Sequence, residues 1–73
     1  MRSISETKKN QAFLIALRER REKMRIPQKV LAYELGISTV AYSYIERGST
    51  DLKLDIFKFL CKRLNLKAEN FLI

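Results

Sequence analysis

The stretch Gln28–Gly48 reads QKVLAYELGISTVAYSYIERG. Leu31, Ala32 and Leu35 fall on one face of a helix, which the spacing predicts from about Gln28 to Leu35. Gly36 stops that helix, because glycine enters the left-handed region at no steric cost. Ile37 is apolar inside the turn, where it can lock the turn against a core. Ser38 is placed to cap the next helix by accepting backbone N–H groups. That helix runs to about Arg47 and ends at Gly48.

The residues around this helix–turn–helix extend a recognisable order. Arg18-x-x-Arg21 precedes it. Gln28-x-x-Leu31-Ala32, Leu35-Gly36-Ile37-Ser38 and Ile45-Glu46-x-Gly48 lie within it, and Leu54, Leu60, Leu64 and Leu66 follow. Taken together, with no insertion or deletion between Arg18 and Leu72, they resemble the Xre/Cro-type DNA-binding domains of phage repressors and bacterial regulators. The resemblance spans roughly three quarters of the chain. It implies an all-α, five-helix lambda-repressor-like DNA-binding domain, with the helix-turn-helix at helices 2 and 3 and helix 3 presented to the major groove.

Bulk properties agree. The chain has 73 residues, room for one small domain, and 47% of them are hydrophobic, enough for a core. Two glycines and one proline argue against a loop-rich or all-β fold. Fifteen Lys and Arg against eight Asp and Glu give a net charge of +7, which suits a polyanion partner. Residues 1–25 hold eight basic and three acidic residues, so +5 of that charge lies at the N-terminal end. A solvated helix face with neighbouring opposite charges explains much of it. One cysteine, Cys61, and no histidine exclude an internal disulfide and argue against a Cys/His metal site. No apolar run is long enough for a membrane span, and residues 1–11 do not read as a secretory signal. The expectation is a cytoplasmic protein with no cofactor.

Helix 1 is expected from about Lys9 to Met24, after a frayed arm over residues 1–8, with Phe13, Leu14, Leu17 and Met24 buried and Arg18, Arg20, Lys23 and Arg25 on the outer face. Pro27 sits where helix 2 begins, tolerated because a first-turn N–H has no intrahelical partner. Helix 4 is expected from about Lys53 to Leu64, with Leu54, Phe57, Leu60, Cys61 and Leu64 inward and Cys61 serving as packing. Asn65 ends it. A short helix 5 covers Ala68 to Phe71.

The resemblance also implies a site. Thr39, Val40, Ser43 and Tyr44 face the groove, while Tyr42 and Ile45 point inward, the Tyr42 hydroxyl needing a partner. Gln28 reaches a phosphate and braces the recognition helix. Ser38, Arg47 and the Gly48–Asp51 loop around Ser49 contact the backbone, the loop through exposed N–H groups. Arg21 and Glu46 form a partly buried ion pair that orients helix 3. The groove-facing set holds no Arg, Lys, Asn or Gln, so base readout is modest and DNA shape supplies part of the specificity. Thr39 and Val40 can touch a thymine methyl.

Helix 4 also carries Ile56 and Phe59 off its inward stripe, and the chain ends Phe71-Leu72-Ile73. Ile56, Phe59, Phe71 and Ile73 are therefore the expected surface for a second copy or for another protein. The reading is a transcriptional regulator, a repressor by occupancy, that binds double-stranded DNA as a homodimer. The alternative is an antitoxin that binds both its operator and a protein toxin. A catalytic role has no support, since there is no histidine, no phosphate-cradling glycine loop and no paired carboxylate set.

Overall fold

Among the described residues, all four α-helices stop by the same device. The structure, a computed structural model, describes the backbone of residues 8–71 and the side chains of residues 11–71. Over that range the elements are α1 (Lys8–Lys23), α2 (Gln28–Leu35), α3 (Thr39–Arg47), α4 (Leu54–Leu64) and a single 3-10 turn at Ala68–Asn70. Left-handed residues follow the helices at Arg25, Gly36, Gly48 and Asn65, with φ of 59°, 74°, 74° and 60°. The next residue then donates its N–H back to a carbonyl in the last turn: Ile26 to Arg21 at 3.0 Å, Ile37 to Ala32 at 3.0 Å, Ser49 to Tyr44 at 2.9 Å, and Leu66 to Cys61 at 2.8 Å. This Schellman arrangement satisfies carbonyls that the helix cannot. Ile26, Ile37 and Leu66 also pack against the core, so each of these stops is fastened by an apolar side chain.

The core gathers around Phe13. Its ring meets Phe57 edge-on at 4.7 Å between centroids and Phe71 at 5.3 Å. Leu14, Leu17, Leu31, Ala32, Tyr42, Ile45, Leu52, Leu60, Cys61 and Leu64 complete it. Cys61 packs there as expected, and burial pushes its thiol up. On the surface Arg63 donates two hydrogen bonds to Glu34, at 2.7 and 3.1 Å, tying α4 to α2.

Several expectations need correction. Among the described residues four helices are α-helical, and the expected helix 5 is one 3-10 turn: Asn70 and Phe71 donate to Lys67 and Ala68, three residues back. The segment is too short to close wider turns, and the Phe71 ring holds it to Phe13. Helix 1 is described from Lys8 onward; residues 1–7, Leu72 and Ile73, and with them most of the expected arm and the expected Ile73 contact, lie outside the described residues. Met24 falls past the end of α1 and is half-exposed; Ile26 takes its place against the core. α2 itself begins at Gln28 as expected, with Pro27 at its N-cap, φ −66° and ψ 153°. Lys53 likewise precedes α4. Leu54, expected inward, is half-exposed, because Leu52 in the preceding loop fills the core position instead.

The helix stops generate a prediction. A left-handed non-glycine residue costs roughly 1–2 kcal/mol. Arg25→Gly should therefore stabilise the fold by about 1 kcal/mol in urea unfolding, and Gly36→Ala should destabilise it by a similar amount. Gly48→Ala should cost more than Gly36→Ala. A methyl at Gly48 lies 3.2 Å from Leu14 Cδ1, whereas one at Gly36 meets nothing within 4 Å.

Candidate nucleic-acid interface

The helix-turn-helix is fixed by one carboxylate. Glu46, on the inner face of α3, is buried to 1% exposure. Its Oε2 accepts from Arg21 Nε at 2.6 Å and from the Tyr42 hydroxyl at 2.7 Å. Its Oε1 accepts from Arg21 Nη2 at 3.2 Å and from Gln28 Nε2 at 3.0 Å. The donors come from α1, α2 and α3 itself. A buried charge is tolerable only when it is paired and its lone pairs are filled, and here both oxygens are. The buried Tyr42 hydroxyl finds its partner one helical turn away, an i,i+4 relation visible in the sequence though not used there.

Three arginines of α1 are committed to the chain's own groups. Arg21 also donates to the Ile26 carbonyl at 3.0 Å. Arg18 donates to the Glu46 carbonyl at 2.9 Å, at the end of α3. Arg20 donates to the Leu64 and Asn65 carbonyls at 2.8 and 3.1 Å, at the end of α4. Arg18 and Arg20 are therefore not the solvated residues their helix face suggests. They supply cation and donor to helix C-termini, where unpaired carbonyls and the helix dipole favour both. Only the tertiary packing brings these groups together, so no local pattern marks them.

The opposite side of α3 faces outward. Ser38 caps the helix, its hydroxyl accepting from the Ala41 N–H at 3.0 Å. Thr39 is exposed, Val40 is 61% exposed and Tyr44 is 44% exposed, while Ser43 is partly buried. The Arg47 guanidinium lies over the Tyr44 ring, 4.8 Å from its centroid. These residues share one face, as expected, and Tyr42 and Ile45 are buried behind them.

The other expected site residues fall as follows. Arg21 and Glu46 are paired. Gln28 braces α3 through Glu46. Ser49 is exposed, but its N–H and that of Gly48 are donated to Tyr44 and Ile45, at 2.9 and 3.1 Å. The helix stop consumes those two donors, so the expectation of loop N–H groups open to phosphate is corrected at Gly48 and Ser49, where Ser49 keeps its hydroxyl. Ile56 and Phe59 are partly buried and packed against the core, as is Phe71. Exposed apolar side chains that the sequence reading passed over are Tyr33 on α2, 86% exposed, and Ile15 on α1.

This architecture, a short helix held across a tight turn with one outward face, is that of a helix-turn-helix domain. A helix-turn-helix family model matches residues 17–71. The chain belongs to the Xre/Cro-like helix-turn-helix family and is a DNA-binding transcription regulator. The comparison with curated proteins finds no match, and neither does that with solved structures. Among the described residues no helix is long and apolar enough to cross a membrane.

The Glu46 cluster generates a second prediction. Arg21→Ala or Glu46→Ala strands a buried charge and should cost about 3–5 kcal/mol. Tyr42→Phe removes one donor to a carboxylate and should cost about 1.5–3 kcal/mol. Burial, and next the hydrogen bond to Glu46, push the Tyr42 hydroxyl well above the ordinary tyrosine range. The unfolded chain releases that proton near pH ~10 while the folded chain keeps it, so the associated stability is complete below that pH and falls above it. Urea unfolding of the wild type and Tyr42→Phe should thus converge above pH ~10, by about 1.4 kcal/mol per pH unit. A gap that stays constant would show that Tyr42 does not hold its proton in the folded state.

Proposed function

We propose that the chain represses transcription by occupying an operator, with α3 seated in the major groove. Thr39, Val40, Ser43 and Tyr44 meet base edges. Arg47, Ser38, Gln28 and the Ser49 hydroxyl meet the phosphate backbone. The observation that carries this reading is the pairing of an outward face on α3 with an inner face locked by Glu46. Such a helix needs no rearrangement to dock. The whole chain acts as one such domain.

The chain works as a homodimer in this reading, because paired half-sites one helical turn apart reward two linked recognition helices. Ile56 and Phe59 on α4, with Phe71 and Ile73, form the self-contact. Phe59 lines a shallow cleft with Lys62 and Arg63 and stays partly exposed, which supports this choice. Sedimentation equilibrium of Phe59→Glu should show a folded monomer with weakened operator binding. An unchanged association constant would move the interface elsewhere.

A second reading, favoured by the exposure of Tyr33 outside the α3 face, is an antitoxin that also binds a protein toxin. A toxin-like reading frame beside the gene, whose product co-purifies with this chain and is released by Tyr33→Ala, would establish it.

The DNA reading is tested on duplex from just upstream of the chain's own gene. Binding should fall with salt at a log–log slope of about −0.9 per neutralised phosphate. Thr39→Ala and Tyr44→Ala should narrow the preference for that duplex over random DNA, and Gln28→Ala should weaken binding to both. Equal affinity for native-locus and random duplex at low salt would remove the basis of the reading.

A further inference from the structure

The outer face of α3 is short of the groups that ordinarily read bases. Guanine is recognised by the fork of Arg or by Lys, and adenine by the amide of Asn or Gln. Along α3, TVAYSYIER, the only such residue is Arg47, and its guanidinium is stacked on Tyr44 at the helix's far end. Neighbouring polar side chains already make bonds within the chain, which leaves Gln28 one amide proton and Ser38 its hydroxyl proton for the phosphate backbone. The Gln28 amide donates to Glu46 Oε1 at 3.0 Å, and Arg18 donates to the Glu46 carbonyl at 2.9 Å. The Ser38 hydroxyl accepts from the Ala41 N–H. What stands outward at the leading end of the helix is the isopropyl group of Val40 and the methyl and hydroxyl of Thr39.

The major groove has one apolar feature, the C5 methyl of thymine, beside the O4 acceptor. We infer that the chain selects its operator through thymine methyl groups, with Val40 and Thr39 as the specificity-determining residues. This rests on the proposed seating of α3 in the major groove. The leading end of a recognition helix is the part that meets base edges, and that is where both residues lie. A β-branched side chain in a helix holds essentially one χ1 rotamer, so the Val40 methyls form a fixed surface. Thr39 offers a methyl to the thymine C5 methyl and a hydroxyl to O4. Cytosine presents neither the methyl nor the acceptor.

The test uses the full chain and duplexes selected by it from a randomised library. The best-bound duplex is compared with the same duplex carrying uracil for every thymine, which deletes only the methyl groups and keeps the base pairing. The selected duplex should carry adjacent thymines. Its uracil form should bind about fifteenfold more weakly if two methyls are buried, at about fourfold for each. Val40→Ala, at an exposed position where alanine favours the helix, should reduce that penalty to about fourfold, the share left to Thr39. Equal affinity for the thymine and uracil duplexes would overturn the inference while leaving DNA binding intact. An undiminished uracil penalty in Val40→Ala would equally overturn it, since any change in DNA stiffness is common to both proteins. Failure of the selection to enrich any duplex would instead sink the DNA reading itself, and would leave the apolar face of α3 to a protein partner.

Discussion

The arrangement of the helix-turn-helix depends on Glu46. Apolar contacts between α1, α2 and α3 are tolerant of small rotations, because dispersion and hydrophobic burial have little directional preference. Hydrogen bonds to a carboxylate are directional. Four of them converge on Glu46, from a guanidinium on α1, an amide on α2 and a phenol on α3. The cluster therefore sets the angle of α3 where the core alone would permit several. It adds little net stability, since desolvating the ion pair offsets most of the attraction. Its value lies in specifying one orientation, and Tyr42 contributes twice: its ring fills the core and its hydroxyl completes the acceptor count.

The same economy governs the other charges. Arginine and lysine are not used alike. Arg18, Arg20, Arg21 and Arg63 all donate to groups of the chain itself, whereas Lys23, Lys29, Lys53, Lys58, Lys62 and Lys67 are exposed. A planar guanidinium can span two acceptors and loses less on desolvation than an ammonium, which suits it to helix ends and buried carboxylates. The N-terminal concentration of charge thus reflects, in part, the helix C-termini that converge on α1. Less of the net +7 faces a polyanion than the composition suggests.

What could be read from the sequence was what local chemistry dictates. The bounds of α2 and α3, the Ser38 cap and the stops at Gly36, Gly48 and Asn65 follow from periodicity and from residues with distinctive backbone preferences. The Arg21–Glu46 pair came from family resemblance. The stop at Arg25 was not legible, because arginine has no preference for left-handed backbone; the Ile26 bond and its packing impose it. Leu52 and Leu54 exchanged roles for a similar reason: their spacing in sequence cannot say which of them the entering loop will turn inward. Arg18 and Arg20 find carbonyls 28 and 44 residues away, a relation that no window along the chain contains. The partial burial of Ile56 and Phe59 was equally a matter of how α4 lies on the core.

These two features, a braced α3 and an outward face poor in bidentate base-reading groups, belong together. A bidentate amide or guanidinium reads a base strongly and can adjust through its own torsions. A methyl contact is weak and short-ranged, and a gap of roughly 0.5–1 Å already forfeits a quarter to a half of it. In the inferred thymine readout, a helix free to rock by that amount would lose up to half of each methyl contact. Holding α3 through four directional bonds removes that freedom before DNA is met, so little ordering remains to be done on binding. The polar groups buried behind the helix and the apolar groups in front of it are thus two halves of one arrangement. In the inferred readout, specificity that the outer face does not take from bidentate groups is made attainable by the donors held on the inner one.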